Sequence, residues 1–439
     1  MQKEEILEIL NDWNFWQKQQ FTGIKRQHLL KKITKLNSLN FALSIIGPRR
    51  SGKSVLIKQF AKQLIDEGIS ARDILIVNFE DYKWREFDIG LLDKIYSVYL
   101  EEVKANNPQT PYIFLDEIHR IPEWERFVRT ILEKRQAHVF ISGSSANLLS
   151  KELATLLTGR NLILEVFPLD FHEYLGFSNI YLKERLDIVS KKHKILNAFK
   201  EYIEFGGFPE VILSDNKKTI LAQYFQDIIG KDILKRYKVR REDKLNALAK
   251  FYLSNISNPI TFRKIEKFLN IPLLTVEMFS EYMQSAYLIF LLRRFSFSVK
   301  EQDNSPKKVY CYDVGLANAL GFRFSKNIGR LYENIVALQL KKKMSQDKGL
   351  EVFYWQSRDG KEADFVIKKG LEVHDVIQVC FDISEFQVKD REVKGLLKAL
   401  VEFRLKKGIV ITEDYSSEEK IKDKIISYIP LWRWLLQNN

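Results

Sequence analysis

Residues 47–54, which read GPRRSGKS, decide the fold of this chain. They match the Walker A pattern GxxxxGK[ST], in which two glycines expose consecutive backbone N–H groups to phosphate oxygens. Lys53 can then reach the β- and γ-phosphates, and the Ser54 hydroxyl can hold Mg²⁺. The stretch lies between an apolar, β-prone segment at 41–46 and a helical spacing of apolar residues that begins at Lys53. The sequence therefore predicts a loop that binds a nucleoside triphosphate, formed by Gly47, Pro48, Arg49, Arg50, Ser51, Gly52, Lys53, Ser54 and Val55.

A second motif, YIFLDE at 112–117, completes the predicted site. It reads as an apolar strand that ends in two acids, the Walker B arrangement. Asp116 would hold the Mg²⁺ shell and Glu117 would polarise the attacking water. An apolar strand running into an ordinary acidic turn would look the same, but the Walker A loop favours the functional interpretation. The adjacent acids indicate an AAA-type or RecA-type NTPase rather than a kinase or a GTPase.

Strands and helices alternate through the first 167 residues. Apolar, β-prone runs predict strands at 41–46, 73–79, 111–115, 138–142 and 161–166. This alternation is typical of an α/β fold with a doubly wound parallel sheet, the core of a P-loop NTPase. Ligands of such sheets bind at the carboxyl ends of the strands, where both motifs fall. Ser144, just after the fourth run, would sense the γ-phosphate or else belong to a simple turn.

Composition limits the remaining possibilities. The chain has 439 residues, a net charge of +13 and two cysteines, Cys311 and Cys380, so a disulfide framework and a cysteine metal cluster are excluded. We expect a cytoplasmic protein without a membrane span, because the strongest apolar run stops at Arg293 and Arg294. The positive charge favours a polyanionic partner. High lysine content from genome bias or a hot habitat would explain the same charge.

The middle of the chain is predominantly helical. Residues 169–241 predict a helical lid, and 242–300 predict three helices followed by a β-hairpin at 287–299, a winged helix-turn-helix. Thr261 would cap the second helix, and Pro272 would start the third. The third helix carries Glu277 and Glu281 and no cation, so backbone contacts are expected rather than base reading. The candidate phosphate-contacting residues are Arg263, Lys264, Lys267, Arg293, Arg294, Lys300 and the runs 235–241 and 341–343.

An aromatic cluster precedes the first predicted strand. Residues 12–16 read DWNFW. These side chains would pack on the adenine of a bound nucleotide or would anchor the core, and the sequence leaves both alternatives open.

The motifs together resemble the prokaryotic, largely archaeal, AAA-superfamily ATPases that carry a C-terminal nuclease-like domain of unknown function. The resemblance implies an ATPase core at 1–168, a lid, a winged-helix region and a restriction-endonuclease-like α/β domain at 301–439. It also implies that Arg160 is an arginine finger, acting in cis or in trans, and that Gly207 and Pro209 pack the lid against the nucleotide. A salt-bridged surface arginine and an ordinary interhelical turn are the alternatives. The matching motifs are GPRRSGKS, FLDE, NFED (78–81), GSSANLLSKELATLLTGR (143–160), PLDFHEYL (168–175), GGFPEV (206–211), GRLYENIVALQL (329–340), KEADFVI (361–367) and IQVCFDIS (377–384).

The last domain resembles nucleases in which two acids and a lysine at (D/E)xK spacing serve a divalent metal. Glu333 matches the helix acid and Asp364 the strand acid. Gln378 and Cys380 stand where the ExK acid and lysine belong. Glu362 shares a strand face with Asp364 and would compensate in part. The resemblance therefore predicts a degenerate nuclease site without cleavage activity.

Three functions remain open from the sequence. The first is an ATPase switch that uses ATP and Mg²⁺ and engages nucleic acid, DNA rather than RNA. The second is an ATP-driven, metal-dependent nuclease, and the third is a nucleotide-gated scaffold that binds protein partners. A homo-oligomer would be required if Arg160 acts in trans.

Overall fold

Five parallel strands build the sheet that carries both nucleotide motifs. The computed structural model describes residues 1–39, 41–144, 159–321 and 328–438, in two units, 1–166 and 167–439. In the first unit the strand order is β2-β3-β4-β1-β5, and every pairing is parallel. All five predicted strands are present, and the predicted parallel α/β sheet is confirmed. The strands are β1 (Ala42–Ile46), β2 (Ile74–Asn78), β3 (Tyr112–Asp116), β4 (His138–Gly143) and β5 (Asn161–Glu165).

Helices cover both faces of this sheet, which explains why its strands are apolar throughout. Alternate residues of β1 face two separate cores: Leu43 packs in the core that contains Phe60, and Ala42 packs in the core that contains Leu92. Full burial of a side chain such as Phe60 contributes roughly 1.5–3 kcal/mol. The helices of the unit are α1 (Lys3–Trp13), α2 (Gln27–Asn37), α3 (Lys53–Asp66), α4 (Ile89–Glu102) and α5 (Trp124–Glu133).

The aromatic cluster anchors the edge strand β2. The Asn14 side chain accepts a hydrogen bond from the Ile76 backbone N–H (2.7 Å) and donates one to its carbonyl (2.9 Å), as a neighbouring strand would. Trp16 donates to the Ile74 carbonyl (2.9 Å), and Trp13 donates to the Asp81 carboxylate (2.7 Å). These contacts satisfy backbone groups that an edge strand leaves unpaired. Of the two alternatives for the cluster, the structure shows the core anchor.

The second unit begins with a helical region. A π-helical segment, Ile228–Leu234, and a last turn, Lys235–Tyr237, extend its longest helical stretch. Among the described residues of the whole chain, no helix has the length and apolar character needed to cross a membrane. The helices of this region are α6 (Phe171–Phe177), α7 (Arg185–Ser190), α8 (Lys192–Phe205), α9 (Pro209–Ile212) and α10 (Lys217–Asp227).

Three helices follow, as predicted, but the hairpin does not lie at 287–299. The Thr261 hydroxyl accepts a hydrogen bond from the Lys264 N–H and caps the second helix, and the third begins directly after Pro272. Strand β7 (Ile289–Leu292) pairs with β8 (Lys307–Cys311), which also pairs with β6 (Pro259–Ile260). The predicted hairpin boundary is wrong because Ser298 caps an intervening helix. The helices are α11 (Glu242–Ser254), α12 (Phe262–Leu269), α13 (Leu273–Ser285) and α14 (Val299–Asn304).

A six-stranded mixed sheet forms the end of the chain. Its order is β13-β14-β12-β11-β10-β9, with parallel pairs around β12 and antiparallel pairs elsewhere. The first four of these strands in chain order coincide with β-prone runs of the sequence at 350–356, 363–368, 376–381 and 408–412. The elements are α15 (Val314–Leu320), α16 (Ile328–Gln346), β9 (Leu350–Gln356), β10 (Glu362–Lys369), β11 (Glu372–Val379), α17 (Phe386–Glu402), β12 (Lys407–Thr412), β13 (Ser417–Ile421), β14 (Lys424–Pro430) and α18 (Leu431–Gln437).

Candidate functional site

The Walker A loop connects β1 to α3. Gly47 has a φ of 148°, and a Cβ built on it would lie 2.1 Å from the Val166 carbonyl oxygen, so no side chain fits there. Gly52 has a φ of 93° and caps α3, which directs the first N–H groups of the helix toward the loop. The buried Lys53 ammonium donates to the carbonyls of Gly47 (3.1 Å) and Pro48 (3.0 Å). This is an anion-binding loop whose lysine is held by backbone carbonyls.

The acids of the Walker B strand stand beside a serine that the sequence did not single out. Parallel register pairs Leu115 with Ile141, which brings Ser142 next to Asp116. The Ser142 hydroxyl makes a short hydrogen bond to Asp116 and accepts one from the Glu117 backbone N–H (3.1 Å). One hydroxyl therefore orients both acids. The signal available in the sequence was this register, since Ser142 is the last residue of the predicted strand at 138–142.

Asp116 is a buried carboxyl with a strongly shifted pKa. Burial, followed by the charge of Glu117, raises its pKa to about 6, although hydrogen bonds from Ser142 and Ser54 and the charge of Lys53 act in the opposite direction. The contact with Ser54 joins the two residues that the sequence assigns to Mg²⁺. A cation at this point would relieve the repulsion between the two acids.

Glu117 has an unusual backbone for its residue type. Its φ of 55° and ψ of 42° place it in the left-handed region, which costs a non-glycine residue roughly 1 kcal/mol or more. His119 Nδ1 lies 3.3 Å from the Glu117 carboxylate. Such strain is concentrated at functional sites, where it points a side chain in a required direction. The geometry agrees with the role predicted for Glu117.

Two buried hydroxyls test whether the site suits a nucleotide. Ser51 Oγ and Ser144 Oγ are buried, and neither has a hydrogen-bond partner among the residues that the structure describes. Buried hydroxyls normally have partners, so such atoms next to a phosphate-binding loop fit a polar ligand. Asp116 and Ser54 likewise fit Mg²⁺ by their chemistry. The donor set therefore suits a magnesium–nucleotide complex, with Ser144 available to contact it.

Arg160 lies at the amino-terminal end of the strands, whereas the Walker A loop lies at their carboxyl ends. Its backbone carbonyl accepts a hydrogen bond from the N–H of Ala42, the first residue of β1 (3.0 Å), whereas Gly47 follows the last residue. Five residues of strand separate them, about 17 Å at 3.3 Å per residue. The half-exposed Arg160 guanidinium lies 3.5 Å from Glu133. The predicted role of Arg160 as an arginine finger remains a prediction. The remainder of the 143–160 motif, residues 145–158, lies outside the described part of the chain.

The GGFP turn belongs to the second unit, where it connects α8 to α9. A Cβ on Gly207 would lie 2.3 Å from the Leu169 carbonyl oxygen, so this position requires glycine. The Gly207 N–H donates to the buried Asp313 carboxylate (2.7 Å), and burial raises the pKa of Asp313 to about 7. Pro209 is the first residue of α9. The predicted contact of Gly207 and Pro209 with nucleotide remains a prediction.

The two predicted nuclease acids meet around a lysine from another strand. Lys308 of β8 is buried, and its ammonium lies 2.9 Å from Glu333, 2.8 Å from Asp364 and 2.6 Å from Glu362. Tyr310 also donates to Glu333 (2.7 Å). Glu362 and Asp364 share a strand face, as predicted. Lys308 was not among the residues predicted from the sequence, and it supplies the ammonium that the ExK position lacks.

The charges of this cluster are strongly coupled. Burial opposes the charge on Lys308, but Asp364, Glu333 and Glu362 outweigh it and raise its pKa well above the usual value. Burial and the charge of Asp364 raise the pKa of Glu333 to about 8. One ammonium cannot neutralise three carboxylates, so Glu333 retains a proton more readily than an exposed acid. The cluster lines a polar cleft of about 400 Å³.

A divalent metal does not fit this arrangement. An ammonium has three N–H donors, and each carboxylate lies within hydrogen-bonding distance of the Lys308 nitrogen. An ion at the point where the carboxylates converge would have to displace Lys308. Its buried charge would then lose its partners, at a cost of several kcal/mol. Lys308 thus occupies the position that a metal would need.

The other two residues assigned to the degenerate site have structural contacts. The Gln378 amide accepts a hydrogen bond from the Asp364 backbone N–H (3.1 Å) and donates one to Glu392 (2.6 Å). Cys380 packs in the hydrophobic core, and burial raises the pKa of its thiol to about 12. Neither side chain contacts the ammonium of Lys308 within the described contacts. Gln378 lines the same cleft as the acids, whereas Cys380 packs in the core, and their assignment to a degenerate nuclease site remains a prediction.

The candidate basic surfaces differ in accessibility. Lys342 is buried and donates to the Pro168 carbonyl (3.0 Å), and Lys343 donates to Asn438 (2.7 Å), so the run 341–343 is packed rather than exposed. Arg294 donates to the Gln356 carbonyl (2.6 Å). The outward face of α13 contains no cation and consists of Leu274, Glu277, Met278 and Glu281. The cations that remain exposed are Arg263, Lys264, Lys267, Arg293, Lys300, Lys235, Lys238, Arg240 and Arg241.

Comparisons with known proteins agree with the geometry of the first unit. Residues 40–175 match the AAA domain family, and residues 196–327 and 328–434 match two domains of unknown function, DUF8612 and DUF4143. An uncharacterized protein of Methanocaldococcus jannaschii is 34% identical over 406 residues, 89% of this chain and 87% of that protein. An uncharacterized protein of Haemophilus influenzae is 30% identical over 423 residues, 94% of this chain and 99% of that protein.

A solved structure provides a further likeness. A Walker-type ATPase of Pyrococcus abyssi is 13% identical, with a TM-score of 0.44, over 68% of this chain and 95% of that chain.

Proposed function

This chain belongs to the family of the two uncharacterized full-length relatives and carries an AAA domain, and we propose that it is an ATP-hydrolysing molecular switch. The observation that carries this proposal is that the Walker A loop, Asp116 and Glu117 all follow the carboxyl ends of strands in one parallel sheet. The shared serine, Ser142, supports it, as do the buried hydroxyls of Ser51 and Ser144, which have no hydrogen-bond partner within the described ranges.

We assign a separate role in hydrolysis to each side chain of the site. Lys53 would exchange its two backbone carbonyl contacts for phosphate oxygens. Ser54 and Asp116 would hold Mg²⁺, which would supply positive charge to offset the charge of the phosphates. Glu117 orients the attacking water and accepts its proton. Ser142 holds the two acids in a fixed relation, so the water and the phosphates keep their alignment. Ser144 senses the γ-phosphate by donating a hydrogen bond to it from its hydroxyl.

Arg160 is proposed to serve a neighbouring copy of the chain. The arginine is half exposed, and about 17 Å of strand separates it from its own loop. Its guanidinium can therefore stabilise developing phosphate charge only in trans, which makes the active enzyme an oligomer. Gly207 and Pro209 are proposed to close the lid on the nucleotide.

Nucleic acid is the proposed partner of the switch. The net charge of +13 and the exposed cations of α12, Arg263, Lys264 and Lys267, favour contacts with a phosphate backbone. The cation-free outer face of α13 is unsuited to reading bases in a groove. We therefore propose DNA binding through backbone contacts. The C-terminal domain, whose acids surround Lys308, is proposed to support assembly or binding rather than cleavage.

The test of this proposal is the response of ATP hydrolysis to DNA. We expect turnover by the full chain to rise several-fold when single-stranded or branched DNA is added, and the rise to shrink with increasing salt. Arg263→Glu combined with Lys264→Glu should remove the rise and leave basal turnover unchanged. Turnover that is indifferent to DNA would refute the nucleic-acid partner and favour a protein partner.

A further inference from the structure

Glu80 is a carboxylate beside the Walker A loop to which the nucleotide motifs assign no role. It lies two residues after Asn78, the last residue of β2, which is paired in register with Asp116. Its carboxylate accepts a hydrogen bond from Arg49 of the Walker A loop (2.9 Å). Arg120, in the turn that follows Glu117, lies 3.6 Å from the same oxygen. One acidic oxygen thus bridges the phosphate-binding loop and the turn that carries the hydrolytic acid.

The electrostatic surroundings keep Glu80 ionised. Burial opposes ionisation, but the hydrogen bond and charge of Arg49, with the charges of Arg120 and Lys53, outweigh it and lower its pKa. The acid therefore stands among three cations of the phosphate-binding region. A carboxylate in this place opposes the binding of a polyanionic ligand, because it repels phosphate and engages the guanidinium groups that would attract it.

The segment around Glu80 is held in place independently of these arginines. The Asn78 side chain accepts a hydrogen bond from the Glu80 backbone N–H (2.8 Å). The neighbouring Asp81 accepts one from Trp13 (2.7 Å), and Trp84 donates to the Asn78 carbonyl (2.8 Å). The backbone is therefore fixed, and the pairing with Arg49 and Arg120 can change by side-chain rotation alone.

We propose that Glu80 competes with the γ-phosphate for Arg49 and Arg120 and thereby sets the preference of the site for triphosphate over diphosphate. The inference rests on the proposed ATPase function and adds a specificity-determining residue to it. A triphosphate draws the two guanidinium groups away from Glu80 because a phosphate attracts them more strongly than one carboxylate does. A diphosphate has no γ-phosphate, so the two arginines stay with Glu80. The ion pairs of Glu80 with the two arginines are therefore broken in the triphosphate state and kept in the diphosphate state.

Nucleotide binding to a Glu80→Gln variant of the full chain tests the proposal. The amide keeps the shape of the side chain but competes weakly for a guanidinium group. We expect the Kd for a non-hydrolysable ATP analogue with Mg²⁺ to fall about fivefold, the size expected when two partly exposed ion pairs are released. The Kd for ADP should change less than about twofold. Asp81→Asn is the matched control and should leave the ratio of the two constants unchanged.

A second variant shows whether Glu80 acts through the arginine. Arg49→Met should weaken binding of the ATP analogue more than binding of ADP, and Glu80→Gln should have a smaller effect in the Arg49→Met background, because only Arg120 is then left to be released. Equal shifts for ATP and ADP, weaker ATP binding by Glu80→Gln, no change, or additive effects would each overturn the inference. These outcomes leave the ATPase proposal intact provided that binding depends on Lys53. Absence of Lys53-dependent binding by the wild-type chain would refute both.

Discussion

A Glu117→Gln variant is expected to bind ATP as the wild-type chain does and to hydrolyse it roughly 100- to 1000-fold more slowly. The amide has the same shape as the carboxylate, so the left-handed backbone and the hydrogen bond from its N–H to Ser142 are retained. It cannot accept a proton from water. Phosphate release under saturating ATP measures the turnover, and binding of a fluorescent ATP analogue measures the Kd.

Glu123→Gln is the matched control for this variant. Glu123 also has a left-handed backbone and lies a few residues further along the chain, but its exposed carboxylate pairs with Arg126 (2.6 Å). Its turnover should equal that of the wild-type chain. Hydrolysis by Glu117→Gln at the wild-type rate would show that Glu117 is not the water-activating base.

The Glu117→Gln variant also tests whether Arg160 acts in trans. Arg160→Ala is expected to lose at least about 100-fold in turnover while retaining an intact nucleotide site. Glu117→Gln retains an intact Arg160. A mixture of these two inactive variants should therefore recover part of the wild-type turnover, because one copy completes the site of the other. A mixture as inactive as its components would contradict action in trans.

Lys308→Met is expected to destabilise the second unit by roughly 3–5 kcal/mol, because it leaves three clustered carboxylates without their cation. For a unit of this size the melting temperature should fall by on the order of 10 °C. Mn²⁺ should restore part of the loss in the variant, since a cation can then enter among Glu333, Glu362 and Asp364. The wild-type chain should show no such response in the absence of nucleotide. Thermal unfolding with and without Mn²⁺ measures both effects.

Lys307→Met is the control for this change. Lys307 is adjacent on β8 but only partly buried, with its ammonium 5.4 Å from the centre of the Phe262 ring. Its loss should cost less than about 1 kcal/mol. If the wild-type chain is itself stabilised by Mn²⁺ and Asp364→Asn removes the effect, then a metal binds beside Lys308. That result would contradict the conclusion that Lys308 occupies the position that a metal ion would need.

The nucleotide-binding sheet could be predicted from the sequence because its elements are local. Parallel strands buried on both faces read as continuous apolar runs, and GPRRSGKS requires a strand before it and a helix after it. Asp116 and Glu117 follow another such run, and the parallel topology brings both motifs to one edge. Glu117 and Lys53 were therefore found without knowledge of the tertiary structure.

The residues that were missed depend on contacts between distant parts of the chain. Lys308 meets Glu333 and Asp364, which are 25 and 56 positions away, and no local pattern connects them. A weak signal was present, because Lys308 and Tyr310, two residues apart, lie on one face of the strand. The hairpin boundary was misplaced for a local reason. Ser298 and Glu301 have the spacing of a helix start, which interrupts the predicted strand.

ATP hydrolysis by the wild-type chain and by Lys53→Ala, measured side by side, is the most direct test of the central claim. We expect measurable turnover by the wild-type chain in the presence of Mg²⁺ and a loss of at least about 100-fold in the variant, with unchanged circular dichroism. The loss follows because the Walker A lysine reaches the β- and γ-phosphates. Equal turnover by both proteins, or none by the wild-type chain, would contradict the assignment of this loop as an ATPase site.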